Sequence, residues 1–176
     1  MTKVKSEVFQ DSDRAFLVAQ DLLLREADAL DTQQWDRWLA LYTDDAIFWL
    51  PAWLDEHQTT SDVNQTMSYM YHDGRLALSE RVARITSKKS ATAMPLPRTV
   101  HLVSAPLIAA LDSNEMTIKS NSIVHVYDTR AMRTHVTACR CEHILRRNKD
   151  AIWLIRSKKV ILVNDCMPSV IDFYAV

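Results

Sequence analysis

Glycine is almost absent from this sequence, which contains one glycine, Gly74, among its 176 residues. Phosphate-binding loops depend on glycine because it lets the backbone approach a phosphate group closely. A P-loop and a glycine-rich dinucleotide-binding loop are therefore excluded. We expect no binding of ATP, NAD or FAD through these common motifs.

Cysteine and net charge are also low. The three cysteines are Cys139, Cys141 and Cys166, and an odd, small number without an export signal predicts free thiols. The formal net charge is -1 and the isoelectric point is about 6.6. Because no strong field of one sign results, we expect neither nucleic acid nor an anionic membrane as a partner.

Long apolar runs are missing as well. No stretch reaches the roughly 18 apolar residues of a transmembrane helix, and residues 1–13 lack the apolar core of a signal peptide. The sequence therefore predicts a soluble cytoplasmic protein. Its length suits one domain over 1–176, with a flexible arm at 1–12 and a tail at 164–176.

The first half of the chain is dominated by helical patterns. Asp13 is a candidate N-cap, and apolar residues then recur at helical spacing as far as Leu30. Asp44-Asp45 indicates a turn. The predicted elements are helices from Asp13 to Leu30, Trp35 to Tyr42 and Arg75 to about Ile85, with short strands at 46–50 and 67–71.

The second half consists of β-type segments at about 98–111, 115–128, 133–147 and 151–163. The polar connectors between them are three or four residues long, which predicts hairpins and an antiparallel meander. Helices followed by a sheet indicate an α+β domain. We expect the N-terminal helices to pack against a strongly curved, mainly antiparallel sheet, forming a cone with a cavity.

Cys139-Arg140-Cys141-Glu142-His143 has the composition of a metal site. On a strand, however, its first and last candidate ligands would lie about 13 Å apart, whereas zinc requires donor atoms about 2.0–2.3 Å from the ion. The other histidines are scattered and do not supply the two histidines and one carboxylate of a non-haem iron site. We expect no metal or cofactor site in this chain.

His101 and His125 lie on neighbouring predicted strands and could face each other, with Tyr42 and Asp45 approaching the same cavity. Such a set could perform the acid–base chemistry of a dehydratase or an isomerase. The alternative interpretation is that these are polar groups with satisfied hydrogen bonds in a core or an interface.

Four tryptophans, Trp35, Trp38, Trp49 and Trp53, are grouped in a short stretch. Such rings serve equally well as interface anchors and as core residues. Together with Arg75 and Arg98, they are the candidate subunit-interface residues of this sequence.

Several segments resemble one family in order along the chain. The run Leu30-Asp31-Thr32-Gln33-Gln34-Trp35-Asp36-Arg37-Trp38-Leu39-Ala40-Leu41-Tyr42-Thr43-Asp44-Asp45 resembles the opening of the β subunits of aromatic-ring-hydroxylating dioxygenases. Residues 46–51, 67–85 and 97–104 resemble the segments that follow in that family. The resemblance covers roughly 14–163 and is nearest the benzoate, anthranilate and halobenzoate types.

The resemblance implies an NTF2-like cone and a structural, non-catalytic subunit. It implies assembly of three α with three β subunits, with self-association of this chain as a trimer. The α subunit would hold a Rieske [2Fe-2S] cluster and a mononuclear Fe(II), and would receive electrons from a reductase, in some cases through a ferredoxin. The complex would dihydroxylate an aromatic acid or hydrocarbon.

The sequence departs from the family pattern at His72 and Gly74, and its tail matches only in being apolar.

The alternative function is a stand-alone NTF2-like dehydratase or isomerase. Ketosteroid isomerases, which look similar in the first half, place a general-base aspartate directly before the proline of the first strand. Leu50 stands there, before Pro51, and an alkyl group cannot abstract a proton. A binding or scaffold module is a third possibility.

Overall fold

A computed structural model describes residues 2–64, 66–87, 95–164 and 171–176, with side chains from Ser12 onward. Among these residues, no helix combines the length and apolarity that crossing a membrane requires. The elements are α1 Thr2–Asp31, α2 Trp35–Ala40, β1 Tyr42–Pro51, β2 Ser68–Asp73, α3 Arg75–Thr86, β3 Arg98–Val103, β4 Leu107–Leu111, β5 Glu115–Asp128, β6 Arg133–Arg147, β7 Trp153–Leu162 and a 3-10 helix Phe173–Ala175.

Helix α1 is longer than the sequence analysis predicted. Asp13 is an interior residue rather than the N-cap, and the backbone of the predicted arm is helical from Thr2. Neither glycine nor proline interrupts residues 2–31, so nothing local ends the helix on the N-terminal side of Asp13. The prediction that the helix starts at Asp13 is therefore wrong.

The end of α1 is formed by a Schellman motif. The N–H of Gln34 donates to the carbonyl of Ala29 at 2.8 Å, and the N–H of Gln33 donates to that of Leu30 at 3.1 Å. Gln33 has a φ of 53°, in the left-handed region where glycine is usual. A glutamine therefore takes the place of a glycine in this almost glycine-free chain.

Two boundaries in the first half and the middle were also predicted wrongly. Asp44-Asp45 does not form a turn, because β1 begins at Tyr42 and already pairs there with Ile155 of β7. The segment 98–111 is divided into β3 and β4, which both pair with β5.

Gly74 lies directly before α3 and has a φ of 84°. Its backbone N–H donates to the carbonyl of Ala46 at 2.8 Å.

The seven strands form one sheet in the order β2-β1-β7-β6-β5-β3, with β4 also on β5. The antiparallel pairs β5–β6 and β6–β7 confirm the predicted meander. Strand β1 lies parallel to β7, a contact that the sequence analysis did not predict. The predicted α+β class, with helices packed against a mainly antiparallel sheet, is confirmed.

The core lies between the helices and one face of the sheet. Trp38 is fully buried there, stacked on Phe173 with ring centroids 4.5 Å apart. Arg81 forms a bidentate ion pair with Asp172, at 2.6 and 3.0 Å, which fixes the start of the C-terminal segment 172–176. The sheet therefore has an inner face towards the helices and an outer face away from them.

Candidate functional site

Four buried polar residues meet between α1 and the inner face of the sheet. Glu26 accepts hydrogen bonds from the Tyr42 hydroxyl at 2.5 Å and from Lys158 Nζ at 3.0 Å. His143 Nε2 lies 3.5 Å from the other oxygen of the same carboxylate. We call Glu26, Tyr42, His143 and Lys158 the Glu26 cluster.

The backbone pattern explains why these residues are inside. Glu26 lies on the apolar side of α1, between Leu22 and Leu30, which are each 1% exposed. Alternate residues of a strand point to the same face, and His143 is in phase with the buried residues of β6. Lys158 of β7 pairs directly with His143.

The charges of the Glu26 cluster balance. Burial alone raises the pKa of the Glu26 carboxyl, but the charge of Lys158 and the contacts from His143 and Tyr42 outweigh it and hold that pKa below its usual value. Burial lowers the pKa of Lys158, but Glu26 raises it further than burial lowers it. Burial lowers the pKa of His143 despite Glu26. One ion pair and a neutral imidazole result.

A small cavity adjoins this cluster. Its volume is about 20 Å³, and its wall includes Glu26, His101, Ser120, His143 and Lys158. A cavity that binds benzene needs roughly 150 Å³. The cavity is therefore too small for the apolar substrate that the dehydratase or isomerase alternative requires.

His101 belongs to a separate group at the same cavity. Its Nδ1 lies 2.6 Å from Asp31 Oδ1, and its backbone N–H donates to Asp31 Oδ2 at 2.9 Å. The Thr99 hydroxyl donates to Asp31 at 2.8 Å. Burial alone raises the pKa of Asp31, but these hydrogen bonds outweigh it and lower that pKa. The group joins the end of α1 to β3.

The structure does not bring the four acid–base candidates together. Strand β3 does pair with β5, but His101 lies opposite Val124 and His125 lies opposite Val100. A one-residue offset places two side chains on opposite faces, so the expectation that His101 and His125 face each other is wrong. Asp45 is exposed and lies 2.9 Å from both Arg146 and Arg156, whereas Tyr42 is in the core.

The segment from Cys139 to His143 lies within β6, as predicted. Cys139 and Cys141 are buried free thiols. Burial raises the pKa of Cys139 to about 12 and also raises that of Cys141, so both stay protonated. Cys166 lies outside the described residues. In the part of the chain that the structure describes, no three His, Cys, Asp or Glu side chains are grouped to hold a metal ion.

The tryptophans proposed for an interface have different environments. Trp38 is 0% exposed and has no surface to offer another chain, because it packs against Tyr42, Phe48 and Phe173. Trp35, Trp49 and Trp53 are partly exposed. Of the arginines, Arg75 pairs with Asp44, and Arg98 is exposed at the start of β3.

Apolar side chains cover part of the outer face. Leu102 pairs with Ile123, and Val100 and Val136 flank His125 on the neighbouring strands. Leu102 is 61% exposed and Ile123 is 45% exposed. We call this surface the outer apolar face; its members are Val100, Leu102, Ile123, Tyr127 and Val136. Contiguous exposed apolar surface of this kind marks contact sites.

Comparison with known proteins identifies the family. A family model described as ring hydroxylating beta subunit matches residues 25–169. The chain belongs to this family. The anthranilate 1,2-dioxygenase small subunit of Acinetobacter baylyi is 34% identical over 164 residues, covering 92% of this chain and 96% of the relative. The 2-halobenzoate 1,2-dioxygenase small subunit of Burkholderia cepacia is 30% identical, covering 93% and 98%.

A solved structure of a family member agrees with these matches. The benzoate 1,2-dioxygenase β subunit of Burkholderia mallei superimposes with a TM-score of 0.73 at 30% identity, covering 90% of this chain and 95% of that one. The predicted family and NTF2-like fold are confirmed. Homology to dioxygenase small subunits favours the subunit prediction over the stand-alone enzyme.

Two members of the Glu26 cluster, Glu26 and Lys158, were not predicted from the sequence, and His143 was considered only as a metal ligand. Glu26 and Lys158 are 132 positions apart, so no local motif connects them. Each nevertheless occupies an apolar phase: Glu26 lies in the stripe of α1, and Lys158 alternates with Val160 and Leu162. A charged residue in such a phase was the signal available.

Proposed function

We propose that this chain is the structural β subunit of an aromatic-ring-hydroxylating dioxygenase acting on an aromatic carboxylic acid. The observation that carries the proposal is the family match over residues 25–169, together with relatives matched over almost their whole length. Anthranilate, 2-halobenzoate and benzoate, which appear in the names of the relatives, are all aromatic carboxylates. This shared chemistry supports the substrate class.

The proposal places the redox chemistry in a partner α subunit that carries a Rieske cluster and a mononuclear iron. The described residues of this chain do not fit an iron centre. His101 is engaged by Asp31, His143 faces Glu26, and the Cys139 and Cys141 thiols are buried and protonated. No catalytic step is therefore assigned to this chain, and electrons from a reductase or ferredoxin would enter the α subunit.

The proposal includes self-association of this chain as a trimer through the outer apolar face. Leu102 and Ile123 pair across β3 and β5, and their exposed surface would be removed from water by a second copy. Trp49 and Trp53, which are partly exposed, are further contact candidates, as are Arg75 and Arg98. A cytoplasmic location stays a prediction from the sequence.

Co-expression with its α subunit, which we expect to be encoded beside this chain, tests the proposal. That neighbouring chain should contain a Cys-x-His and a Cys-x2-His pair. We expect iron only in preparations that contain the α subunit. We expect dihydroxylation of benzoate or anthranilate only when both chains are present with O2 and a reductase that supplies two electrons per turnover. The matched controls are each chain alone, and naphthalene as a substrate without a carboxylate.

Two results would contradict this function. The first is stoichiometric iron bound by the purified chain alone. The second is a strictly monomeric chain that dehydrates a small substrate unaided. Activity with naphthalene but with no aromatic acid would overturn only the substrate class.

A further inference from the structure

Three cavity-lining residues lie side by side on neighbouring strands. His143 of β6 pairs directly with Lys158 of β7. Ser120 of β5 pairs with Cys141, two positions before His143, and is therefore a diagonal neighbour of His143 on the same face. All three contribute to the wall of the 20 Å³ cavity.

Four polar atoms in this wall have no hydrogen-bond partner among the described residues. They are His143 Nδ1, His143 Nε2, Ser120 Oγ and His101 Nε2, and His143 and Ser120 are only 1% and 7% exposed. Buried polar atoms are nearly always hydrogen-bonded to protein or to ordered water. Each atom therefore requires a partner that the surrounding side chains do not provide.

The protonation of the cluster determines what that partner must offer. His143 Nε2 makes no hydrogen bond of ordinary geometry among the described residues, but the Glu26 carboxylate 3.5 Å away favours the neutral tautomer with its proton on Nε2, which leaves Nδ1 as an acceptor. The Lys158 ammonium has three N–H donors, of which one is directed at Glu26. A partner in the cavity must therefore donate to His143 and be able to accept from Lys158.

We propose that this cavity is a binding site for one ordered water molecule, held by His143 Nδ1, Ser120 Oγ and Lys158 Nζ. The water donates to Nδ1 and to the serine oxygen and accepts from the ammonium. It connects β5, β6 and β7 at the point where Glu26 attaches α1 to the sheet. His101, whose Nε2 also lacks a protein partner in the described chain, lines the same cavity.

Size and charge restrict the ligand to water. One water needs roughly 10–15 Å³ and two to four polar partners. The cavity offers about 20 Å³, and His143 Nδ1, Ser120 Oγ and Lys158 Nζ are three polar groups in its wall. Glu26 and Lys158 cancel each other's charge, so neither an anion nor a cation is attracted. An organic molecule of several heavy atoms does not fit.

A high-resolution crystal structure of the full chain tests the site. We expect a water peak within hydrogen-bond distance of both His143 Nδ1 and Ser120 Oγ. Ser120→Ala should weaken or remove the peak. Ser122→Ala is the matched control because Ser122 lies on the same face of β5 and its Oγ already contacts Cys141 Sγ at 3.6 Å; it should retain the peak.

Water-oxygen magnetic relaxation dispersion gives an independent count in solution. Ser120→Val, which fills the cavity, should remove one long-lived water relative to the original chain, and Ser122→Ala should remove none. The proposal is overturned if His143 Nδ1 proves to be bonded directly to a protein atom with no water peak beside it. It is equally overturned if Ser120→Val leaves the number of long-lived waters unchanged.

Discussion

Each face of the sheet carries side chains that are unusual for its surroundings: charged residues are buried on the inner face, and apolar residues are exposed on the outer face. The inner face buries an ion pair and a neutral histidine, with Glu26 and Lys158 each only 4% exposed. The outer face exposes Leu102 and Ile123 across β3 and β5. Buried charges that partner one another within the chain have a folding role, whereas exposed apolar side chains favour a contact with another chain.

The polar groups of the inner face bind one another and leave little space for a substrate. The carboxylate, ammonium and hydroxyl of the Glu26 cluster are directed at one another, and the adjacent cavity has a volume of about 20 Å³. The polar groups are therefore used in attaching α1 to the sheet. This agrees with a folding role for the Glu26 cluster.

The largest expected effect comes from breaking the buried ion pair. Glu26→Leu leaves the Lys158 ammonium buried without its counterion, which should lower the free energy of unfolding by about 3–5 kcal/mol. Urea unfolding measures the change. The double variant Glu26→Leu/Lys158→Met removes both charges and should recover much of the loss.

The control for this effect is a surface pair on the same helix. Asp21 and Arg25 form an ion pair in which more than half of each side chain is exposed, so Asp21→Ala should cost less than about 1 kcal/mol. The account of the inner face fails if Glu26→Leu is no more destabilising than Asp21→Ala.

The second effect separates the outer face from the inner one. Leu102→Glu places a charge on the outer apolar face, and we expect self-association to weaken by about 30-fold, which is about 2 kcal/mol. Sedimentation equilibrium measures it, while urea unfolding of the dissociated chain at low concentration should hardly change. Leu76→Glu on α3, where Leu76 is 73% exposed, is the matched control and should leave association unaltered. Equal weakening by both variants would remove the case for the outer face.

The third effect is a pH dependence from the inner face. Burial lowers the pKa of His143 below the ordinary 6.5, so below about pH 6.5 the unfolded chain binds a proton there that the folded chain does not. The contribution of neutral His143 to the free energy of unfolding is therefore fully present above that pH and decreases as the pH falls. His143→Gln should reduce the slope between about pH 7.5 and pH 5.5 by up to about 1.4 kcal/mol per pH unit.

The control for the pH dependence of the free energy of unfolding is a histidine on the outer face. His125→Gln changes an exposed histidine and should alter the slope less than His143→Gln does. Glu26 also destabilises the fold in acid because its pKa is lowered, but that loss begins below its ordinary 4.5 and lies outside this pH range. An unchanged slope in His143→Gln would show that the folded chain protonates His143.

The smallest effect concerns backbone strain outside both faces. Ala151 has a φ of 63°, which costs a residue with a Cβ more than it costs glycine. Ala151→Gly should therefore raise the free energy of unfolding by about 0.5–1 kcal/mol. Ala110→Gly, in the extended backbone of β4, should have the opposite sign. Thermal unfolding distinguishes the two, and a loss of stability in Ala151→Gly would contradict the strain.

Much of the fold could be predicted because its signals are local. The meander of β5, β6 and β7 follows from short polar connectors, and α3 follows from apolar spacing. The failed boundary at Asp44-Asp45 depends on a distant contact, since these residues become strand only because β1 lies against β7. The terminal segment reads as merely apolar, yet Phe173 fills the core against Trp38.

The site was less predictable than the fold. His101 lines the small cavity, but its proposed partner His125 lies on the other face because the register is offset by one residue. Neither Asp31 nor Glu26 was selected as a histidine partner. Both carboxylates lie on α1, far in sequence from the strands that they meet, and only the packing of helix on sheet brings them there.

Hydroxyl-radical footprinting of the chain, alone at low concentration and in the complex with its α subunit, tests the central claim most directly. The claim is that the outer apolar face is a subunit contact and the inner face is not. We predict that labelling of Leu102, Ile123 and Tyr127 decreases on assembly, while that of exposed Leu76 is unchanged. Unaltered labelling of the outer apolar face in a complete, active complex would contradict it.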